Sequence, residues 1–242
     1  MNVASRTHIG NVRPTNQDSL LILPGLYGLF GVADGMGGHK GGDVASNMAT
    51  LMLSRVLDGA KPDEALLRGG IEEVNQMIFQ EQLRNPELSG MGTTLTVLWE
   101  DTDRLVVANV GDSRAYRLHN GEIAQVSQDH SLVAELLREG AITPEEAQHH
   151  PYRNVITRAL GSAETVDVDV TALERVRGDR YLICSDGLTA YVAPAEMRAI
   201  LLRTPLEEAA DMLLQLALDG IIFRWFWRRW AHEQPDAGKN AG

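Results

Sequence analysis

Short apolar runs alternate along the chain with longer segments in which apolar residues recur at helical spacing. The runs are rich in Val, Ile, Leu and aromatic residues, and they predict strands. These strands cover residues 26–33, 94–99, 105–110, 115–118 and 181–184, with a more alternating piece at 166–170. Asn120 and Gly121 follow the fourth of these strands and precede a polar-apolar stretch at 122–126. Because both residue types tolerate positive φ, they predict a tight hairpin.

Helical spacing and capping residues predict six helices. They cover residues 42–57, 64–84, 131–139, 144–148, 194–202 and 205–218. Asp63 is placed to cap the second helix, and Thr204 with Pro205 begins the last one. Strands at both ends of the chain with long helices between them predict an α+β layered protein. Hairpin-linked strands argue against a doubly wound parallel sheet.

Composition narrows the class of protein. The chain has 242 residues, 44% of them apolar, and nothing resembling a linker interrupts it, which favours one large domain. A formal charge of −11 repels nucleic acid and anionic membrane, so we expect no nucleic-acid partner. Cys184 is the only cysteine, so no intramolecular disulfide forms. The first residues have no signal-peptide core, and no run approaches the ~20 apolar residues of a spanning helix. The sequence therefore predicts a cytoplasmic protein.

Three aspartates stand beside glycines where predicted strands end. Asp34 precedes a glycine-rich turn, Asp112 follows Gly111, and Asp186 precedes Gly187. Asp-Gly is also a common turn, so each pair taken alone has a purely structural explanation. Together, strands that deliver carboxylates to their ends suit Mg²⁺ or Mn²⁺, which prefer oxygen ligands and retain several waters.

A fourth polar element lies near the N-terminus, at residues 10–18. It contains Arg13, whose guanidinium suits bidentate binding of phosphate, and a further carboxylate at Asp18. By itself this stretch is equally well explained as a solvated loop.

In their order along the chain, these motifs resemble those of the bacterial metal-dependent serine/threonine protein phosphatases, the type-2C family. The motifs are Gly-x-x-Arg-x-x-Asn-Gln-Asp at 10–18, Ala-Asp-Gly-Met-Gly-Gly-His at 33–39, Gly-Thr-Thr at 92–94, Asn-Val-Gly-Asp-Ser-Arg at 109–114, Asp-His-Ser at 129–131 and Cys-Ser-Asp-Gly-Leu at 184–188. The resemblance covers roughly residues 5–218. It implies a four-layer α–β–β–α sandwich with two central antiparallel sheets. It also implies hydrolysis of phosphoserine and phosphothreonine by a metal-activated water, without a phospho-enzyme.

The resemblance also implies a set of metal ligands. Asp34 matches the position that bridges two Mn²⁺ or Mg²⁺ ions, and Gly35 matches the one that gives its carbonyl to one of them. Asp186 matches a ligand of the other ion. Asp112, together with Asp186, matches the residues that hold a weaker third metal. Two cations about 4 Å apart lower the pKa of a shared water and screen the phosphoryl oxygens.

Further residues match positions around the substrate. Arg13 matches the arginine that grips the phosphate, and Asp18 matches an acidic residue that orients metal-bound waters. Some members use a histidine directly after the Asp-Gly pair as general acid, but here Met36 holds that place and His39 lies three residues on. His39 therefore remains open between a general-acid role and an ordinary loop histidine. Residues 140–160 match the family's variable flap beside the active site.

The chain departs from the family pattern after residue 220. We therefore divide it into a phosphatase domain at 1–220, incomplete at its C-terminus, and an atypical tail at 221–242. The family pattern expects a Gly-rich turn, an Asp-Asn pair and a final strand, so we expect the last strand to be missing or altered. Here residues 221–230 are rich in Trp and Arg instead. A shifted reading frame, a tail that contacts membrane or a partner, and a residual strand at 221–227 are the three explanations.

In the family, the aspartate of the expected Asp-Asn pair is a metal ligand. Its absence from this chain leaves two functions open. The first is a phosphatase that acts on phosphorylated proteins and opposes a bacterial Ser/Thr kinase. We expect this phosphatase to be a monomer. A phosphatase for sigma-factor regulators would have the same fold and differ only in its substrate. The alternative is a catalytically impaired relative that binds phosphoproteins or a partner without turnover. Asp219 is a conceivable replacement ligand, although it precedes the expected turn.

Overall fold

The computed structural model describes residues 2–11, 13–37 and 41–233, and residues 221–233 by their helical backbone alone. The strands are β1 (Asp18–Leu23), β2 (Leu29–Met36), β3 (Gly92–Thr93), β4 (Leu95–Glu100), β5 (Arg104–Val110), β6 (Arg114–His119), β7 (Glu122–Gln125), β8 (Asp169–Glu174) and β9 (Arg180–Cys184). The α-helices are α1 (Gly42–Val56), α2 (Glu64–Arg84), α3 (Leu132–Arg138), α4 (Pro144–His149), α5 (Asp186–Thr189), α6 (Pro194–Arg203) and α7 (Leu206–Glu233). A 3₁₀ turn at Pro86–Leu88 follows α2.

The strands form two antiparallel sheets of unequal size. The larger has the order β1-β2-β4-β5-β8, with β3 paired to β2. The smaller has the order β7-β6-β9, so β9 lies at its edge. The predicted hairpin joins β6 to β7, and Asn120 has the positive φ of 50° that its turn requires.

Three buried clusters separate successive layers of this fold. The first fills the space between α1, α2 and one face of the larger sheet, with Trp99 and Leu53 at its centre. The second lies between the two sheets and includes Phe30 and Ile183. The third lies between the smaller sheet and the helices α6 and α7, with Met197 fully buried. The two antiparallel sheets and their flanking helices confirm the predicted α+β sandwich.

Most predicted elements agree with the structure to within a few residues, but β1, β3 and α5 were not predicted and one predicted strand is displaced. β1 begins at Asp18, the last residue of the 10–18 motif, which by itself is equally well explained as a solvated loop. The alternating piece at 166–170 is displaced, since the strand that pairs with β5 is β8, beginning at Asp169.

The last helix differs most from its prediction. We expected it to end near residue 218, but α7 continues to Glu233. The suggestion of a residual strand at 221–227 is therefore wrong, because this stretch continues the helix. No helix among the described residues is long and apolar enough to cross a membrane.

Candidate metal centre

The first pair of carboxylates is brought together by strand pairing. Asp18 begins β1 and lies opposite Asp34 in the antiparallel register with β2. Asp186 begins α5, one residue after the end of β9. The residue between β9 and Asp186 is Ser185. Its hydroxyl donates a hydrogen bond to the Asp18 carboxylate at 2.9 Å, which links the two sheets at this point. Three carboxylates from two sheets thus meet at one place.

Mutual repulsion and burial raise the pKa of Asp34 to about 9. Removal of water from the carboxyl is the largest cause, followed by the nearby charges of Asp18 and Asp186, while Arg13 opposes them. Burial likewise raises the pKa of Asp18, although its bonds from Ser185 and Asp34 oppose that effect. The three carboxylates therefore bring together more negative charge than the guanidinium of Arg13 offsets.

The backbone of Asp34 is held by Thr94 of the Gly-Thr-Thr motif. The Thr94 hydroxyl accepts a bond from the Asp34 amide at 2.9 Å, and the Thr94 amide donates to the Asp34 carbonyl at 2.9 Å. The same hydroxyl is 2.8 Å from that of Ser113, which is fully buried. Because these bonds hold the two peptide groups on either side of the Asp34 Cα, Thr94 sets the position from which the Asp34 carboxylate projects.

Glycine is required at position 35 for close packing of backbone. The Gly35 amide donates to the carbonyl of Gln17 at 3.0 Å. A Cβ built at Gly35 overlaps the Gly42 carbonyl at the start of α1 and lies 2.8 Å from the Gln17 oxygen. Both neighbours are backbone atoms, so no side-chain rotation relieves the overlap. The glycine therefore allows the Asp34 strand end, the Asp18 loop and α1 to converge.

Asp112 follows a second tight turn, at the end of β5. Gly111 has a φ of +104°, and its amide donates to Nδ1 of the fully buried His130 at 3.1 Å. Nε2 of His130 lies 3.0 Å from the Asp169 carboxylate, so the ring carries its proton on Nε2 and accepts through Nδ1. His130 therefore anchors the loop that presents Asp112.

Asp112 shares its electrostatic environment with Asp186. Burial raises the pKa of Asp112 to about 6, with the charges of Asp186 and Asp129 adding to the effect and that of Arg114 opposing it. Arg114 is paired with Asp129 at 2.6 Å. The charge of Asp186 thus acts on both Asp34 and Asp112, so Asp186 lies near both carboxylates.

Arg13 lies at the solvent side of the cluster. Its guanidinium is exposed, bonds the Gln17 side-chain oxygen at 3.3 Å, and lowers the pKa of both Asp18 and Asp34. A cation that is exposed yet close to the carboxylates is placed to meet an anion approaching from solvent.

The donor set fits divalent cations that keep most of their water. No group of three or more His, Cys, Asp or Glu side chains in the described ranges converges closely enough to enclose a metal. Mg²⁺ and Mn²⁺ do not need such a cage, since one or two carboxylates, a carbonyl and several waters complete their octahedron. Asp34 lies close enough to Asp18 and Asp186 for their charges to raise its pKa, and carboxylates crowded together in this way are stabilised by a cation.

One predicted site residue, His39, lies outside the described residues, and one candidate ligand, Asp219, does not join this cluster. Asp219 is exposed on α7, where its carboxylate accepts a bond from the Gln215 amide at 2.8 Å, and it is not among the residues that shift the pKa of Asp34. The suggestion that Asp219 replaces the missing ligand therefore has no support in the geometry.

Sequence reasoning missed several supporting residues. Ser185, Thr94 and His130 were quoted only as members of motifs, and their hydrogen bonds appear only once the strands are paired. Within the flap, Arg153 and Asn154 line the same cavity as Arg13 and the carboxylates. The sequence signal that could have identified Arg153 is its positive charge within a flap that lies beside an anion-binding site.

Comparison with known proteins agrees with this geometry. Residues 6–218 match the model of the family described as protein phosphatase 2C. The chain is 42% identical over 226 residues to a serine/threonine phosphatase, Stp, of Listeria welshimeri, covering 90% of each chain. A crystal structure of a bacterial serine phosphatase has a TM-score of 0.83 at 38% identity, covering 89% of this chain and 90% of that one.

A second solved structure bears on the metals. It is the catalytic domain of the phosphatase PstP in complex with two manganese ions, with a TM-score of 0.77, 39% identity, and coverage of 87% of this chain and 88% of that one. The family match ends at residue 218, two residues before the composition changes. The aspartate cluster, its supporting hydrogen bonds and these similarities lead to one conclusion: the chain belongs to the protein phosphatase 2C family.

Proposed function

We propose that this protein hydrolyses phosphoserine and phosphothreonine in other proteins, with water as the nucleophile. The observation that carries the proposal is the cluster of Asp34, Asp18 and Asp186, whose excess negative charge is open to solvent beside Arg13. Relatives named serine/threonine phosphatases share about two fifths of its sequence over nearly their whole length.

We assign the metal-binding roles to the residues that converge. Asp34, the Gly35 carbonyl and Asp186 would hold two Mn²⁺ or Mg²⁺ ions, and Asp112 with Asp186 would hold a third, weaker one. When bound, these ions acidify water and neutralise charge on the phosphoryl group. The raised pKa values of Asp34 and Asp112 support the assignment, because a cation compensates the charge that burial and crowding disfavour.

The chain's own residues orient the reactants. Asp18, fixed by the Ser185 hydroxyl, faces the cluster and can accept a hydrogen bond from water near Asp34. Arg13 presents a planar pair of N–H groups to two phosphoryl oxygens and lies at the open side of the site. Phosphoryl transfer depends mainly on positioning and charge stabilisation, so these residues need no covalent role.

Phosphopeptide hydrolysis during titration with Mn²⁺ tests the proposal. We expect activity that depends on metal, with an Asp34→Ala variant inactive but folded. Asp219→Ala is the matched control, because Asp219 lies on α7 away from the cluster, and it should retain wild-type metal dependence. Metal-independent turnover, or equal activity of the Asp34→Ala variant, would refute the assignment. Binding of phosphopeptide without turnover would favour the impaired relative.

We further propose that the substrates are phosphorylated by a Ser/Thr kinase and that the protein acts as a monomer. The first proposal is supported by relatives that are named protein phosphatases; the second is carried over from the sequence as an expectation. Sedimentation of the purified protein tests the second, and dephosphorylation of a kinase-treated extract tests the first.

A further inference from the structure

Thr94 lies at an interruption in the larger sheet. It separates β3 from β4, and these two strands pair with β2 on opposite sides of Asp34 along that strand. The buried Thr94 hydroxyl accepts from the Asp34 amide at 2.9 Å, where a backbone carbonyl of an uninterrupted neighbouring strand would accept. A side-chain oxygen therefore completes the ladder at the residue that presents the carboxylate.

The same side chain contacts the turn that presents Asp112, and it does so in two ways. Its hydroxyl lies 2.8 Å from the hydroxyl of Ser113, which is fully buried. A Cβ built at Gly111, whose φ is +104°, would lie 2.6 Å from the Thr94 methyl carbon, so Gly111 packs directly against Thr94. Asp112 is therefore flanked on both sides by residues that contact Thr94.

Threonine suits this position because its hydroxyl and its methyl group make separate contacts. A hydroxyl both accepts and donates, so Thr94 can accept from the Asp34 amide while it bonds the Ser113 hydroxyl. The methyl group fills the space beside Gly111. Serine would keep the first contact and lose the second, whereas valine would keep the shape and lose the hydrogen bonds.

Two buried side chains thus hold the Asp112 turn from different directions. His130 fixes the turn to β8, because it accepts from the Gly111 amide at 3.1 Å and bonds Asp169 at 3.0 Å. Thr94 fixes the turn to β2, the strand of Asp34. Only the second of these links joins one candidate ligand to another.

We propose that Thr94 is a positioning residue that holds the Asp112 turn in a fixed place relative to Asp34. This inference rests on the metal-binding roles proposed above for these two aspartates. Because the link consists of buried contacts within the protein, it places the Asp112 carboxylate before a cation arrives. The weaker cation therefore does not have to order its own ligand, and its affinity depends on Thr94 and Ser113 although neither side chain is assigned to it.

Three variants with nearly matched shapes separate the contacts, and calorimetric titration with Mn²⁺ measures their effects. Ser113→Ala removes only the bond to the turn, so it should weaken the weak phase of Mn²⁺ binding about fivefold and leave the tight phase unchanged. Thr94→Ser removes only the methyl group and should weaken the weak phase about twofold. Thr94→Val leaves the Asp34 amide without its acceptor, so it should weaken both phases, the tight one about tenfold.

Amide exchange in the presence of a chelator gives a second measurement, which needs no metal. The Asp34 amide should exchange about tenfold faster in Thr94→Val than in the wild type, whereas Thr94→Ser should keep its protection. The His130 amide, which donates to the Gly111 carbonyl at 2.9 Å, should exchange faster in Ser113→Ala because the turn is held less firmly. Ser54→Ala is the matched control, since the Ser54 hydroxyl bonds a carbonyl of its own helix, and it should change neither measurement.

Several results would overturn the inference. They are a wild-type weak phase in Ser113→Ala, equal losses in both phases, identical behaviour of Thr94→Ser and Thr94→Val, and a single phase of Mn²⁺ binding in the wild type. Chemical unfolding measures the stability of each variant, and a purely structural role would lower stability without separating the two phases. If Thr94→Val does not fold, Ser113→Ala and Thr94→Ser decide the question.

The proposed function would fail in a different way. Its failure would appear as wild-type protein that does not hydrolyse phosphopeptide in the presence of Mn²⁺. Mn²⁺ phases that respond to the variants as expected, in a protein without turnover, would support the role of Thr94 and refute the function.

Discussion

Replacing Asp34 with asparagine should stabilise the metal-free protein while it abolishes catalysis. The side chain is surrounded by the carboxylates of Asp18 and Asp186 and has little water, so its ionised form is disfavoured in the folded state. Asparagine keeps nearly the same shape and can donate hydrogen bonds to both neighbours. The substitution therefore removes the unfavourable charge and preserves the packing.

The magnitude follows from the pKa of Asp34. A rise from 3.8 to about 9, at roughly 1.4 kcal/mol per pH unit, corresponds to about 7 kcal/mol between low pH and pH 9. Water that enters the site on ionisation reduces this penalty, so we expect an observed gain of about 2–4 kcal/mol for the variant at pH near 8. The folded state holds this proton more tightly than the unfolded state does. Wild-type stability without metal should therefore fall as pH rises from about 4 to about 9.

Urea unfolding in the presence of a chelator measures this difference. We expect the wild type to lose stability with rising pH and Asp34→Asn to lose much less, so that the two curves separate above neutrality. With Mn²⁺ the order should reverse, because the metal stabilises only the protein that binds it. Asp219→Asn, on the exposed side of α7, is the matched control and should follow the wild type. Parallel pH profiles for wild type and Asp34→Asn would refute the reasoning.

Three further outcomes follow from the same geometry. Gly35→Ala should lower the free energy of unfolding by about 3 kcal/mol or more, or unfold the site, because its Cβ meets backbone atoms that cannot rotate away. Chemical unfolding measures this loss. Gly187→Ala is the control and should be tolerated, because its Cβ lies 3.7 Å from the nearest atom. Arg13→Ala should raise KM for phosphopeptide about tenfold or more. Mn²⁺ affinity, measured by calorimetry, should stay the same or rise slightly, because a positive charge near Asp18 and Asp34 is removed; a large loss of metal affinity would contradict this role. Asp112→Asn should remove a weak phase of Mn²⁺ binding and leave the tight phase unchanged. In the wild type, this weak phase should decline below a pH of about 6, because protons then compete with Mn²⁺ for Asp112.

The clustered aspartates could be singled out as candidate ligands because the signal is local in sequence. Asp186 follows an apolar strand and precedes a glycine as predicted, whereas Asp34 and Gly35 lie within β2, which continues to Met36. The family resemblance then supplied the two sheets. What the sequence could not show was pairing: the Asp18–Asp34 register depends on β1, which was not predicted, and the Ser185–Asp18 bond joins positions 167 residues apart.

The elements that differ from their predictions do so for physical reasons. β1 reads Asp-Ser-Leu-Leu-Ile-Leu, without strict alternation, because Leu21 packs under α1 while Leu20 faces the second sheet. β8 begins later than predicted because its pairing with β5, not its own pattern, sets its limits. The length of α7 was missed because the change in composition after Gly220 was taken as the end of the helix.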